Sequence, residues 1–92
     1  MNDFSFIKPQ NFISWQILDD KLLIKNEIDE SYYEFEETGY EIINMILSEE
    51  TNIRLIVERL SKIYNVDYDV LLSDVEEFIN NLVKDKLVYL NE

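Results

Sequence analysis

The stretch Ser31–Ile46, SYYEFEETGYEIINMI, changes periodicity halfway and leaves no residues for a linker. Its first half alternates aromatic with acidic residues, the period of two that marks a strand. From Thr38 onward the apolar residues recur at helical spacing. A strand that runs straight into a helix, carrying Tyr32, Tyr33 and Phe35, constrains the fold around it. The question is what those side chains and their backbone face.

That strand closes a set. Phe12–Leu18, FISWQIL, places Ile13, Trp15 and Ile17 on one face and reads as a half-buried strand. Asp19 and Asp20 turn the chain into a second strand, Lys21–Ile28, and Asp29–Ser31 turn it again into Tyr32–Glu36. Alternating segments joined by short polar turns predict an antiparallel meander. Ahead of it, residues 1–11 form an extended arm, with Pro9 near its end. Within Tyr32–Glu36, Tyr33 and Phe35 share one face and Tyr32, Glu34 and Glu36 the other.

Helices follow. Thr38-Gly39-Tyr40-Glu41 fits a capping box, in which threonine and glutamate satisfy free backbone N–H groups. Ile42, Ile43, Ile46 and Leu47 then form an apolar face. Thr51 is placed to cap a second helix with Ile53, Ile56, Val57, Leu60, Ile63 and Tyr64 inward. Asp67 is a good N-cap for a third, whose stripe is Leu71, Val75, Phe78, Ile79, Leu82 and Val83. Lys86–Leu90, KLVYL, reads as a short extended tail packing back on the body. The fold class is α+β, strands first, in one domain over residues 1–92.

Much chemistry is excluded. The chain has no histidine and no cysteine, which removes the usual general base, thiolate nucleophiles and the commonest soft-metal ligands. Gly39 is the only glycine, so no phosphate loop can form. The acidic runs at 34–37 and 74–77 read as solvated faces, and DYDVLLSD lacks the glycine and spacing of a calcium loop. No catalytic residue, metal or cofactor is expected. No apolar run approaches the roughly 20 residues of a membrane span. MNDFSFIKPQ is not a signal peptide, and the expected location is the cytoplasm.

The net charge of −12 opposes phosphate backbones and anionic lipids. Residues 67–85 set Asp67, Asp69, Asp74, Glu76, Glu77 and Asp85 against Lys84 alone, the wrong sign for a recognition helix in DNA. Neither nucleic acid nor membrane is an expected partner. A basic or neutral peptide is.

The order and spacing of particular residues carry a resemblance. Trp15, Leu22-Leu23-Ile24, Tyr32-Tyr33-Glu34-Phe35 and Thr38-Gly39 are followed by Leu60-x-x-x-Tyr64-x-Val66-Asp67. Asp74-Val75-x-x-Phe78-Ile79-x-x-Leu82 comes next. From Phe12 to Leu90 the chain resembles the family of pyrroloquinoline quinone synthesis protein D (PqqD), also called the RiPP recognition element. RiPPs are ribosomally made, post-translationally modified peptides. Phe35-Glu36 stands where many members carry Leu-Asn, and Asp85-Lys86 where many carry glycine, which fits a divergent, stand-alone member.

The resemblance implies a winged-helix-like domain, a three-stranded antiparallel sheet followed by three helices, that holds the leader of a precursor peptide. The leader is expected to add beside the third strand, at Tyr32, Tyr33, Glu34 and Phe35. It would lie against the third helix at Leu71, Asp74, Val75 and Phe78. The implied partners are that leader and a maturation enzyme: a radical SAM enzyme, a leader peptidase or a cyclase. The alternative is an acidic adaptor or a winged-helix transcriptional regulator.

Overall fold

The computed structural model describes residues 3–91; Met1 and Asn2 of the expected arm, and Glu92, lie outside the described residues. The elements run β1 (Phe6–Pro9), β2 (Ile13–Leu18), β3 (Lys21–Asn26), β4 (Tyr32–Glu36), α1 (Glu37–Ser48), α2 (Ile53–Ile63), α3 (Tyr68–Lys84) and β5 (Val88–Asn91). The expected meander is present as a three-stranded antiparallel sheet in the order β2-β3-β4. Three helices follow it, as the sequence predicts.

The extended arm and the C-terminal tail turn out to be one feature. β1 and β5 pair antiparallel, Ile7 opposite Leu90, and form a second small sheet. The Ile7 amide also donates to the Thr51 carbonyl at 2.9 Å, tying this sheet to the α1–α2 connection. Ile7 and Val88 are buried there and join the core.

The core lies between the main sheet and the helices. Leu22 and Ile24 from β3 meet Ile42, Ile43 and Ile46 from α1, Ile56, Val57 and Leu60 from α2, and Val75, Ile79 and Leu82 from α3. Non-directional burial of these side chains is the main favourable term. Ile63 and Val83, assigned inward by their helical stripes, are exposed at 55% and 37%. Each sits at the last turn of its helix, past the edge of the layer it packs on.

β2 departs from its expected half-burial. Ile13 is buried, yet Trp15 and Ile17 are 48% and 49% exposed. They share the inner face, opposite Ile24 and Leu22. The cause is coverage: α1 lies over β4 and β3, leaving β2 to overhang. β3 stops at Asn26, short of the expected Ile28. The Asn26 side chain accepts from the amides of Ile28 and Asp29 at 2.9 and 3.4 Å and turns the chain.

The helix starts are partly as predicted. Asp67 caps α3, its Oδ1 accepting from the Asp69 amide at 3.0 Å. α2 is capped by Asn52, whose Oδ1 accepts from the Leu55 amide at 2.9 Å; Thr51 is buried instead, bridged to Ile7. No capping box forms at Thr38–Glu41, because the helix begins earlier. Glu36 occupies the cap position without a side-chain bond, and Glu37 makes the turn with φ 55°. A single left-handed residue replaces the cap, at a backbone cost of about 1–2 kcal/mol.

These caps carry a stability prediction. Asn52→Ala and Asp67→Ala should each cost about 1 kcal/mol in urea denaturation. Thr38→Ala should cost less than about 0.5 kcal/mol, as a surface change outside any such feature does. A loss at Thr38 matching that at Asp67 would mean that the threonine does cap α1.

Candidate functional site

β4 is an edge strand, with β3 on one side and, among the described residues, no strand on the other. In an antiparallel ladder alternate residues direct both backbone groups to the same neighbour. The Asn26 amide bonds the Ser31 carbonyl at 2.9 Å, one register step beyond Lys25↔Tyr32. Hydrogen-bonded pairs therefore fall at Ile24↔Tyr33 and Leu22↔Phe35. The N–H and C=O groups of Tyr32, Glu34 and Glu36 point outward. The β2–β3 ladder agrees: Glu27 N–H bonds Phe12 O at 2.8 Å, which assigns Lys21, Leu23 and Lys25 to β2 and leaves Leu22 and Ile24 to β4.

Beside this edge runs an apolar groove of about 330 Å³ between the start of α1, the end of α2 and one face of α3. Leu71, Val75 and Phe78 line it from α3, with Thr38, Gly39 and Ile42 from α1 and Leu60, Tyr64 and Val66 from the α2 side. Asp74 is the one charged side chain among the described residues that line it. Phe35 joins groove to strand. Its ring meets that of Phe78 edge to face, centroids 5.9 Å apart at 72°. A Cβ on Gly39 would stand 3.4 Å from Phe78 and 3.7 Å from Phe35, in ordinary van der Waals contact, so Gly39 sits directly against this pair.

Leu71, Asp74, Val75 and Phe78, singled out in the sequence, are thus brought together on one wall. Leu71 and Val75 are nevertheless buried, so they form the groove floor and the core at once. Tyr33 and Phe35 face inward and pack on the core. The side chains of Tyr32 and Glu34 do not reach the groove. They stand on the outer face of the sheet, where Tyr32 is 68% exposed with the Lys25 ammonium 5.7 Å from its ring centre. Lys21 lies 3.1 Å from Glu34 and 4.0 Å from Glu36. Hydrogen bonding and charge from Glu34, then charge from Glu36, raise its pKa above the ordinary lysine value. One cation against two carboxylates leaves this rim acidic.

Sequence reasoning missed Thr38, Gly39, Ile42, Leu60, Tyr64 and Val66 as groove residues. The signal at Gly39 was available, since a lone glycine in a helical first turn asks for a reason. The others read as cap, core stripe or connection, and only packing distinguishes a groove wall from a filled interior. A concavity of similar volume between Glu49–Thr51 and α2 is lined by Glu58, Arg59 and Lys62 with one apolar residue, Leu55, so it offers little apolar surface to a peptide.

No curated protein matches this sequence. Two solved structures share the fold. One, described as TbiB1 in complex with the TbiA(beta) leader peptide, superposes with TM-score 0.84 at 18% identity, covering 88% of this chain and 93% of that one. The other, described as lasso peptide synthetase B1 complexed with the leader peptide, gives TM-score 0.81 at 14% identity, covering 90% and 96%. The sequence profile described as coenzyme PQQ synthesis protein D (PqqD) matches residues 23–88, from β3 through all three helices to the start of β5. The chain belongs to the PqqD family.

Proposed function

We propose that this chain is a RiPP recognition element that binds the leader of a ribosomally made precursor peptide by strand addition to β4. It presents the precursor to a maturation enzyme and catalyses nothing itself. The observation that carries this reading is the coincidence of a free strand edge with an apolar groove that opens where the same strand runs into α1, joined to it by the Phe35–Phe78 contact. Strand addition supplies affinity through main-chain bonds, and pockets for alternate side chains supply selectivity. Support comes also from the two structural neighbours, each solved with a leader peptide. The absence of histidine and cysteine from the sequence supports a non-catalytic role.

An added strand would alternate its side chains between the two faces. Leader residues opposite Tyr33 and Phe35 would point toward the groove and bury apolar side chains against Leu71, Val75 and Phe78. The residue between them would lie on the outer face beside Glu34, where a basic side chain is favoured. Each fully buried anchor is worth about 1.5–3 kcal/mol. Each backbone bond adds about 0.5–1.5 kcal/mol.

Calorimetry with the leader encoded beside this chain's gene should show a Kd between about 1 nM and 1 μM. Proline lacks the N–H that an outward position must offer. Tyr32→Pro and Glu34→Pro should therefore weaken leader binding at least about tenfold, the equivalent of 1.4 kcal/mol, while keeping most of the thermal stability. Tyr33→Pro and Phe35→Pro break bonds to β3 and should lower the melting temperature instead. Asp74→Ala should cost about 0.5–1 kcal/mol of binding. Unchanged affinity in folded Tyr32→Pro and Glu34→Pro variants would remove β4 as the site.

The transcription-factor reading is tested separately. The acidic α3 should give no gel shift with random duplex DNA even at about 50 mM salt, where electrostatic attraction is strong. A salt-sensitive shift would restore that reading.

A further inference from the structure

The opposite edge of the sheet, β2, has a different chemistry. Edge strands are ordinarily blunted by lysine, proline or inward charges. β2, ISWQIL, carries no charged residue, although 30% of the chain is charged. The Glu27–Phe12 bond fixes its alternation, so the outward backbone groups are those of Ile13, Trp15 and Ile17. Two of these, Trp15 and Ile17, also expose apolar side chains on the strip of sheet that α1 leaves bare. At Trp15 and Ile17 free backbone bonds and exposed apolar surface coincide.

The strand is self-complementary. Ile13-Ser14-Trp15-Gln16-Ile17 reads apolar, polar, aromatic, polar, apolar in either direction. A two-fold interface requires one surface patch to match itself. We propose that β2 pairs antiparallel with β2 of a second copy of this chain, about a two-fold axis at Trp15. Trp15 then faces Trp15 of the second copy, Ile13 faces Ile17, and Ser14 faces Gln16. This centre puts every outward residue in a hydrogen-bonded pair. Slipping by one residue turns those bonds away and mixes the two faces. An axis normal to the sheet keeps both helical layers on one side, and the paired tryptophans and isoleucines fill the uncovered strip between them. Both β4 edges stay free, so the assembly does not compete with a peptide there.

Charge distinguishes this occupant from a basic partner. Two copies at −12 each repel at long range, while the contacting strands are neutral. Salt shortens the reach of that repulsion from about 30 Å at 0.01 M to about 3 Å at 1 M. Self-association should therefore strengthen with salt, whereas a basic partner would be weakened.

Sedimentation equilibrium of the full chain tests this from about 10 μM to about 1 mM, since association follows mass action. The apparent mass should rise from one chain toward two, further at high salt than at low. Trp15→Lys, which sets like charges opposite one another, should remain one chain with an unchanged circular dichroism spectrum. Ser14 and Gln16 fall in non-hydrogen-bonded pairs with Cα atoms about 4.5 Å apart, within disulfide reach. Because the chain has no native cysteine, mixed S14C and Q16C proteins should oxidise to a mixed dimer in preference to either alone. A single-chain mass at every concentration would overturn the proposal and leave β2 to a different protein. So would a Trp15→Lys dimer, or S14C crosslinking with itself as readily as with Q16C.

Discussion

The direct passage of β4 into α1 is the constraint on which the rest of the structure depends. With no linker, the chain leaves the sheet as soon as β4 ends, through the single left-handed turn at Glu37. The next strand in sequence, β5, pairs with β1 in a separate sheet, which leaves β4 an edge among the described residues. The helix that leaves it sets Gly39 of its first turn against Phe35 and Phe78, and the Phe35–Phe78 contact holds α3 to the same strand. An edge-to-face aromatic pair is worth about 0.5–1.5 kcal/mol beyond its burial. Here it also sets a geometry: an open row of backbone groups on one side, an apolar groove on the other.

The sheet thus has two edges, and their side chains set them apart. β4 carries Glu34 and Glu36, only partly offset by Lys21, and its inward face ends in a groove with one carboxylate, Asp74. An approaching strand meets negative charge there, which favours a neutral or basic peptide and repels another copy of an acidic chain. β2 carries no charge, and its exposed inner-face side chains are large and apolar. Charged residues at an exposed edge also protect against indiscriminate pairing. The chain therefore protects β4 against itself, and that protection is missing from β2.

Much of this was legible in the sequence because it rests on local periodicity. The strand-to-helix switch, the shared face of Tyr33 and Phe35, the Asp67 cap and most of the α3 stripe follow from side-chain alternation and helical spacing. What was not legible depends on partners distant in sequence. Pairing of β1 with β5 joins the two ends of the described chain, and nothing in FIKP or VYLN alone announces the other. The exposure of Trp15 and Ile17 depends on where α1 lies, not on their alternation. The absent capping box at Thr38 yields to a junction that starts the helix at Glu37. Alternation tells which side chains share a face, but which amides point outward needs the ladder's register, set by the Asn26–Ser31 bond.

The central claim is that a leader peptide bonds to the outward backbone groups of β4, and amide hydrogen exchange followed by NMR reads those groups one at a time. In the free protein the amides of Tyr32, Glu34 and Glu36 should exchange quickly, while those of Tyr33 and Phe35, bonded to β3, are protected. On saturation with leader, the three outward amides should slow together, and Tyr33 and Phe35 should change little. Protection that appears at α3 alone, with Tyr32, Glu34 and Glu36 still exchanging at their free rates, would contradict strand addition outright.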